Sequence, residues 1–149
     1  MAELWFYHLE RSDIEAALPS LLEKCLQRGW RALVRGGVEE RLDGLDASLW
    51  TYRDDSFLPH GRAGRDEPAQ QPVWLTGAED NPNGAQALFV IDGANSADAS
   101  AFERAIMLFD GRDEAAVSIA RARWKGAKDD GMTVSYWKES GAGRWEKQA

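Results

Sequence analysis

Hydrophobic and polar positions along the chain alternate between a strand-like and a helix-like rhythm. Glu3 to Leu9 gathers Leu4, Trp5, Phe6 and Tyr7, β-forming side chains that predict a first strand. Ile14, Leu18, Leu21, Leu22 and Cys25 then recur at helical spacing. Ser12 and Glu15 have the spacing of a capping box, with Ser12 as N-cap and Glu15 reaching back. Pro19 predicts a kink or a restart, because it lacks an N–H and crowds the preceding turn. Gly29 ends this helix. Arg31 to Arg35 reads as a short second strand, Gly36-Gly37 as a turn, and Val38 to Trp50 as a second helix through Leu42, Leu45 and Leu49. Gly44 weakens the middle of that helix.

Tyr52 to Gln71 is the longest irregular stretch, with two prolines and two glycines. Loops of this length in compact domains are functional or mobile. Val73 to Thr76 and Ala87 to Ile91 read as strands, separated by a turn cluster at Gly77 to Gly84. Asp98 to Phe109 is expected to be helical, with Phe102, Ile106 and Phe109 on one face. Asp110-Gly111-Arg112 breaks it, and Asp113 caps a last helix over Ala115 to Lys128. Met132 to Lys138 alternates and suits a final strand. Strands alternating with helices predict an α/β fold: a single domain over residues 1–140, with a mostly parallel sheet and helices on both faces. Residues 141–149 are expected to form a frayed C-terminal tail.

Composition narrows the function. A chain of 149 residues fits one domain, which at this size hides roughly 70% of its unfolded surface. The net charge is −7, so the chain as a whole lacks the basic footprint of a nucleic-acid binder, and contact with DNA is expected to run through a partner. Seven tryptophans are many for this length, and such side chains serve cores and interfaces alike. The single cysteine, Cys25, excludes an intrachain disulfide, reads as a small core residue, and fits a reducing cytoplasm. The first residues show no basic segment followed by an apolar run, as a signal peptide would. No apolar stretch approaches the ~18 residues of a membrane span.

The candidate chemistry is sparse. Arg35-Gly36-Gly37 sits where a phosphate loop could, but it fits no G-x-G-x-x-G or G-x-x-x-x-G-K-[ST] pattern and reads as a tight strand-to-helix turn. His8 and His60 are the only histidines, and neither has a second ligand at metal-binding spacing. His60, after Pro59, reads as shaping its loop. No serine lies in a G-x-S-x-G setting. Asp92 ends an apolar strand, where α/β folds place ligands, although Asp-Gly also makes a plain turn. A small enzyme with a pocket near Gly36, Gly37 and Asp92 is therefore one alternative, and a direct nucleic-acid-binding module another. No catalytic, cofactor or metal motif is recognisable.

Two features stand out. The last helix carries Arg121, Arg123, Lys125 and Lys128 and no acid after Ala115, in an acidic chain. Arg121, Lys125 and Lys128 share one face, flanked by Val117 and Trp124, which could pair a carboxylate while an apolar group rests on the indole. The same distribution, acids first and bases last, also follows from the helix macrodipole. Trp50 and Phe57 flank the start of the long loop, as a buried pair or as an exposed anchor.

Four segments in this order, Trp5-Phe6-Tyr7-His8-Leu9, Leu49-Trp50 leading into Ser56-Phe57-Leu58-Pro59-His60, Phe109-Asp110-Gly111, and Ala120-Arg121-Ala122-Arg123-Trp124-Lys125, resemble the chi subunit of bacterial DNA polymerase III holoenzyme. The resemblance implies a small Rossmann-like α/β domain without a nucleotide site or cofactor, not itself an enzyme. It implies an adaptor linking the clamp-loader complex to single-stranded-DNA-binding protein by gripping that protein's acidic C-terminal tail. Arg121, Trp124 and Lys125 then match the tail-binding helix, with Val117 beside them and Phe109 as an apolar wall. Trp50 and Phe57 match the surface used by the psi subunit, or by a helicase in some bacteria. Trp124 stands where a tyrosine is common and Val117 where a lysine occurs, so the charge lost at 117 is expected to weaken the tail contact.

Overall fold

Five-residue apolar runs that are buried on both faces read as central parallel strands, and two of them set the middle of this sheet. The computed structural model describes residues 3–10, 12–51, 60–64, 66–69, 71–140 and 145–148, with the backbone alone at residues 50 and 51. The elements run β1 (Glu3–Leu9), α1 (Ile14–Gln27), β2 (Ala32–Gly36), α2 (Glu39–Thr51), β3 (Gly61–Arg62), β4 (Val73–Thr76), β5 (Ala87–Ile91), β6 (Arg104–Asp110), α3 (Glu114–Asp129), β7 (Thr133–Glu139) and β8 (Trp145–Lys147). The sheet order is β3-β4-β2-β5-β6-β1-β7-β8. Every pairing is parallel except β7 with β8. This is the α/β architecture that the alternating pattern predicts.

Alternation along β1 divides the sheet into two layers. Tyr7 and Leu9 join the apolar stripes of α1 (Ile14, Leu18, Leu22) and α2 (Leu42, Leu45, Leu49) on one face. Leu4 and Phe6 face the other way, toward Ala120 and Ala127 of α3. These alanines let α3 lie close to the sheet. α1 runs through Pro19 without a restart, and Pro19 is buried in its apolar face.

Three expectations need correction. The segment from Asp98 to Phe109 is not a helix. A short 3-10 turn covers Ala99–Ala101, and Arg104–Asp110 is β6, paired on one side with β5 and on the other with β1. Ala105 through Phe109 are all buried. An uninterrupted apolar run carries no period that separates a buried strand from a buried helix, so the Phe102, Ile106, Phe109 spacing was coincidental.

The capping box at Ser12 does not form. Asp13 is the N-cap, without a side-chain cap bond. Ser12 Oγ instead donates to Glu139 Oε2, and Glu15 accepts from Arg41. Charged partners from distant elements outcompete the local arrangement, because charge-assisted hydrogen bonds are the stronger ones.

The segment expected to fray contributes β8, whose Trp145 stacks on Tyr7 with ring centroids 4.6 Å apart. Antiparallel pairing with β7 and the stacking of a half-buried indole on a tyrosine hold three residues that composition alone would leave loose. By contrast, the cap predicted at Asp113 is present, its carboxylate accepting from the N–H groups of Ala115 and Ala116.

Arg35 locks the loops at one end of the sheet. Its side chain is fully buried. It donates to the carbonyls of Ala78, Asn95 and Asp80 and forms a two-pronged pair with Asp98 at 2.7 and 3.1 Å. That guanidinium holds the Asp98 carboxyl below its usual range, against the opposing pull of desolvation. None of the described helices is long and apolar enough to cross a membrane.

A cationic flank of the last helix as candidate functional site

The phase of α3 on the sheet gives its basic residues different fates. Arg123 lies toward β5 and donates to the carbonyls of Gly93 and Ala94, at 3.0 and 2.6 Å. Burial pushes its pKa down. Arg121 and Lys125 lie on the exposed surface, and neither forms an ion pair with a described residue. Lys128 sits 5.7 Å from the Trp124 ring. An acidic chain thus keeps two uncompensated cations one turn apart.

Beside them is an aromatic nest. Trp124 meets Phe6 edge-on at 5.4 Å and Tyr136 edge-on at 5.7 Å. Phe109 lies 6.2 Å from Tyr136 and 5.1 Å from His8. Trp124 and Val117 are half-buried, so each offers part of its apolar surface, whereas Phe109 is only 3% exposed and supports the nest from beneath. The structure therefore brings Phe109, Val117, Arg121, Trp124 and Lys125 to one flank of α3. Trp50 lies in the last turn of α2, but its side chain and the whole of Phe57 fall outside the described residues.

Two members of the nest were missed by sequence reasoning. His8 and Tyr136 come from β1 and β7, and their ring nitrogen and hydroxyl share a hydrogen bond at His8 Nδ1. Their meeting depends on a parallel register that pairs Phe6 with Tyr136. The only signal in the chain is the alternation that places Leu4, Phe6 and His8 on one face of β1. His8 Nε2 lies 2.9 Å from Glu10 Oε1, out of line for a hydrogen bond. Burial holds the His8 pKa below 6.5 and prevails over Glu10, with Lys138 and Arg121 adding to the depression. Tyr136 is pushed up by burial.

The Phe109-Asp110-Gly111 segment has a steric reason. A Cβ on Gly111 would lie 1.8 Å from His8 Nε2 and 2.7 Å from the Leu9 carbonyl oxygen. Only glycine lets β1 and the end of β6 close up and seat His8 in the nest. His60, the other histidine, is buried and sits 2.8 Å from Asp46 of α2, tying the start of β3 to that helix.

The crevice at the ends of β5 and β6 is a cavity of about 290 Å³. Its Arg41 is spanned by Glu15 and Asp92. Asp92 adopts φ +53°, and a Cβ on Gly37 would meet its carbonyl oxygen at 2.9 Å. The Gly36-Gly37 turn is thus closed by packing against β5, as a tight strand-to-helix turn.

A parallel-sheet α/β domain with an unpaired cationic and aromatic helix flank is the class of protein defined here. The chain belongs to the DNA polymerase III chi subunit family: the model for "DNA polymerase III chi subunit, HolC" matches residues 1–135. It is similar to the "Probable DNA polymerase III subunit chi" of Rickettsia prowazekii (strain Madrid E), 31% identical over 91 residues, 61% of this chain and 55% of that protein. It is also similar to the "DNA polymerase III subunit chi" of Pseudomonas aeruginosa, 32% identical over 78 residues, 50% of this chain and 54% of that protein. The matched stretches thus span about half the length of these curated relatives.

Proposed function

We propose that this protein is a non-catalytic accessory subunit of a DNA polymerase III holoenzyme. It links the clamp-loader complex to single-stranded-DNA-binding protein by holding that protein's acidic C-terminal tail on the outer flank of α3. The observation that carries this reading is the pair Arg121 and Lys125, exposed cations without a described ion partner on the helix flank that carries Trp124. A terminal carboxylate can take the Arg121 fork while an apolar terminal side chain rests on Trp124 and Val117. Because these charges are solvent-exposed, affinity is modest and falls with salt. A second interface, through Trp50 and Phe57, receives psi where the host has it, or a helicase. DNA is reached mainly through these partners.

Fluorescence anisotropy of a labelled tail peptide from the host's single-stranded-DNA-binding protein tests the reading. Micromolar binding, about −8 kcal/mol, that weakens with salt is expected. A peptide amidated at its C-terminus should bind at least tenfold more weakly, since it lacks the carboxylate. Absence of binding at low salt by the unmodified peptide would remove the proposal.

A further inference from the structure

The two faces of the sheet are covered unequally at the β1-β7-β8 end. α3 packs against β1, β6 and β7 on one side. On the other side, α1 packs against β2 and β6. Beyond α1, a cavity of about 480 Å³ opens between its last turns and strands β1, β7 and β8. Aromatic rings form its sheet side. Trp5 and Trp137 are stacked 5.5 Å apart at 28°, and Tyr7 and Trp145 are stacked 4.6 Å apart at 27°. All three tryptophans remain partly exposed.

The exposed charges that border these rings are cations, while the carboxylate of Glu139, the cross-strand partner of Trp145, is buried and taken up by Ser12 and the Glu10 N–H. Lys24 and Arg28 are exposed on the α1 wall, and Arg104 lies 3.9 Å over the Trp5 ring. Lys147 is exposed and is the cross-strand partner of Trp137, hence on the same face. Among the described residues lining the cavity there is no carboxylate. Glu3, which is close by, is held by Arg104.

We propose that this face is a stacking platform for single-stranded nucleic acid, separate from the α3 flank. Bases rest against the partly exposed indoles of Trp137 and Trp145, Trp5 being covered by Arg104 and Trp137, and phosphates are met by Lys24, Arg28 and Lys147. An aromatic sheet surface bordered by cations is how single strands are held without sequence preference, each stacked base contributing roughly 1–3 kcal/mol. Flat, paired rings suit a base better than the side chains of an acidic peptide. The net charge of −7 keeps the contact weak, so it supplements a partner-mediated link to DNA and does not replace it.

The test titrates the full chain into a labelled oligothymidylate at low salt, reading anisotropy and tryptophan fluorescence together. The expected result is a saturable anisotropy rise with tryptophan quenching. The log–log salt slope should be about −2, from three phosphates at roughly −0.7 each. The double variant Lys24→Glu/Arg28→Glu changes only exposed side chains, and it should weaken binding at least tenfold. Arg121→Ala should leave oligonucleotide binding unchanged, so failure here is distinguishable from failure of tail binding. Four results would overturn the proposal: no anisotropy rise, binding without quenching, full binding by the double variant, or displacement of the oligonucleotide by an acidic peptide in the Arg121→Ala background.

Discussion

Arg121 and Arg123 stand two residues apart on one helix and serve opposite ends. The inner flank of α3 uses Arg123 as a strap, tying the helix to the carbonyls that follow β5. The outer flank leaves Arg121 without an ion pair beside Trp124 and Tyr136. Arg35 is the extreme of the first kind, fully buried with its donors engaged by three carbonyls and one carboxylate. An arginine whose donors are used up holds the fold, and one whose donors are unused is available to a partner. On this account, the effect of truncation on stability should fall in the order Arg35, Arg123, Arg121, whereas the effect on tail binding should be confined to Arg121.

The largest loss is expected for Arg35→Ala. It leaves buried carbonyls unpaired and a cavity behind them, which costs on the order of 3 kcal/mol or more. Urea denaturation followed by circular dichroism would measure it, and a loss below about 1 kcal/mol would break the comparison at its strongest point. The Arg35–Asp98 pair also has a pH signature. Because the folded pKa of Asp98 is depressed, its contribution is present above 3.8 and is lost as pH falls through the folded value.

Gly111→Ala comes next. The new Cβ collides with His8 and with backbone, an overpacking cost of about 1–3 kcal/mol. Since His8 must move, the variant should also disturb tail binding, which separates it from purely structural changes. Arg123→Ala should cost about 1 kcal/mol, as one partly buried and one exposed hydrogen bond are lost, and should leave the tail site intact.

A smaller effect concerns His8. Its folded pKa lies below 6.5, so the native state holds fewer protons than the unfolded chain in that range. The stability tied to neutral His8 is therefore complete above 6.5 and is lost as pH falls through the depressed folded value. Thermal unfolding followed across this range should show a shallower acid-side slope for His8→Asn than for wild type. The smallest stability change, within about 0.5 kcal/mol, is expected for Arg121→Ala.

Much of the fold was legible because its strands announce themselves locally. β1, β4 and β5 coincide with the runs at Glu3–Leu9, Val73–Thr76 and Ala87–Ile91. α3 was readable from its cap and its one-sided charge. β6 was not, since a strand buried on both faces shows no alternation. Ser12 and Glu15 were misassigned because their partners, Glu139 and Arg41, are brought in by tertiary folding. β8 was missed because what holds it, antiparallel pairing with β7 and the Trp145 ring on Tyr7, is supplied by tertiary folding. At the candidate site, Arg121 and Trp124 could be read from helical spacing. His8 and Tyr136 could not, because parallel register between strands far apart in the chain is not written in either segment.

The most direct test of the central claim is a tail-peptide titration by anisotropy of wild type, Arg121→Ala and Arg123→Ala at matched folded fraction. The account predicts that Arg121→Ala weakens binding at least tenfold, about 1.4 kcal/mol, while Arg123→Ala binds as wild type does. Equal affinity for all three proteins, or a loss confined to Arg123→Ala, would contradict the assignment of the outer flank of α3 as the docking surface.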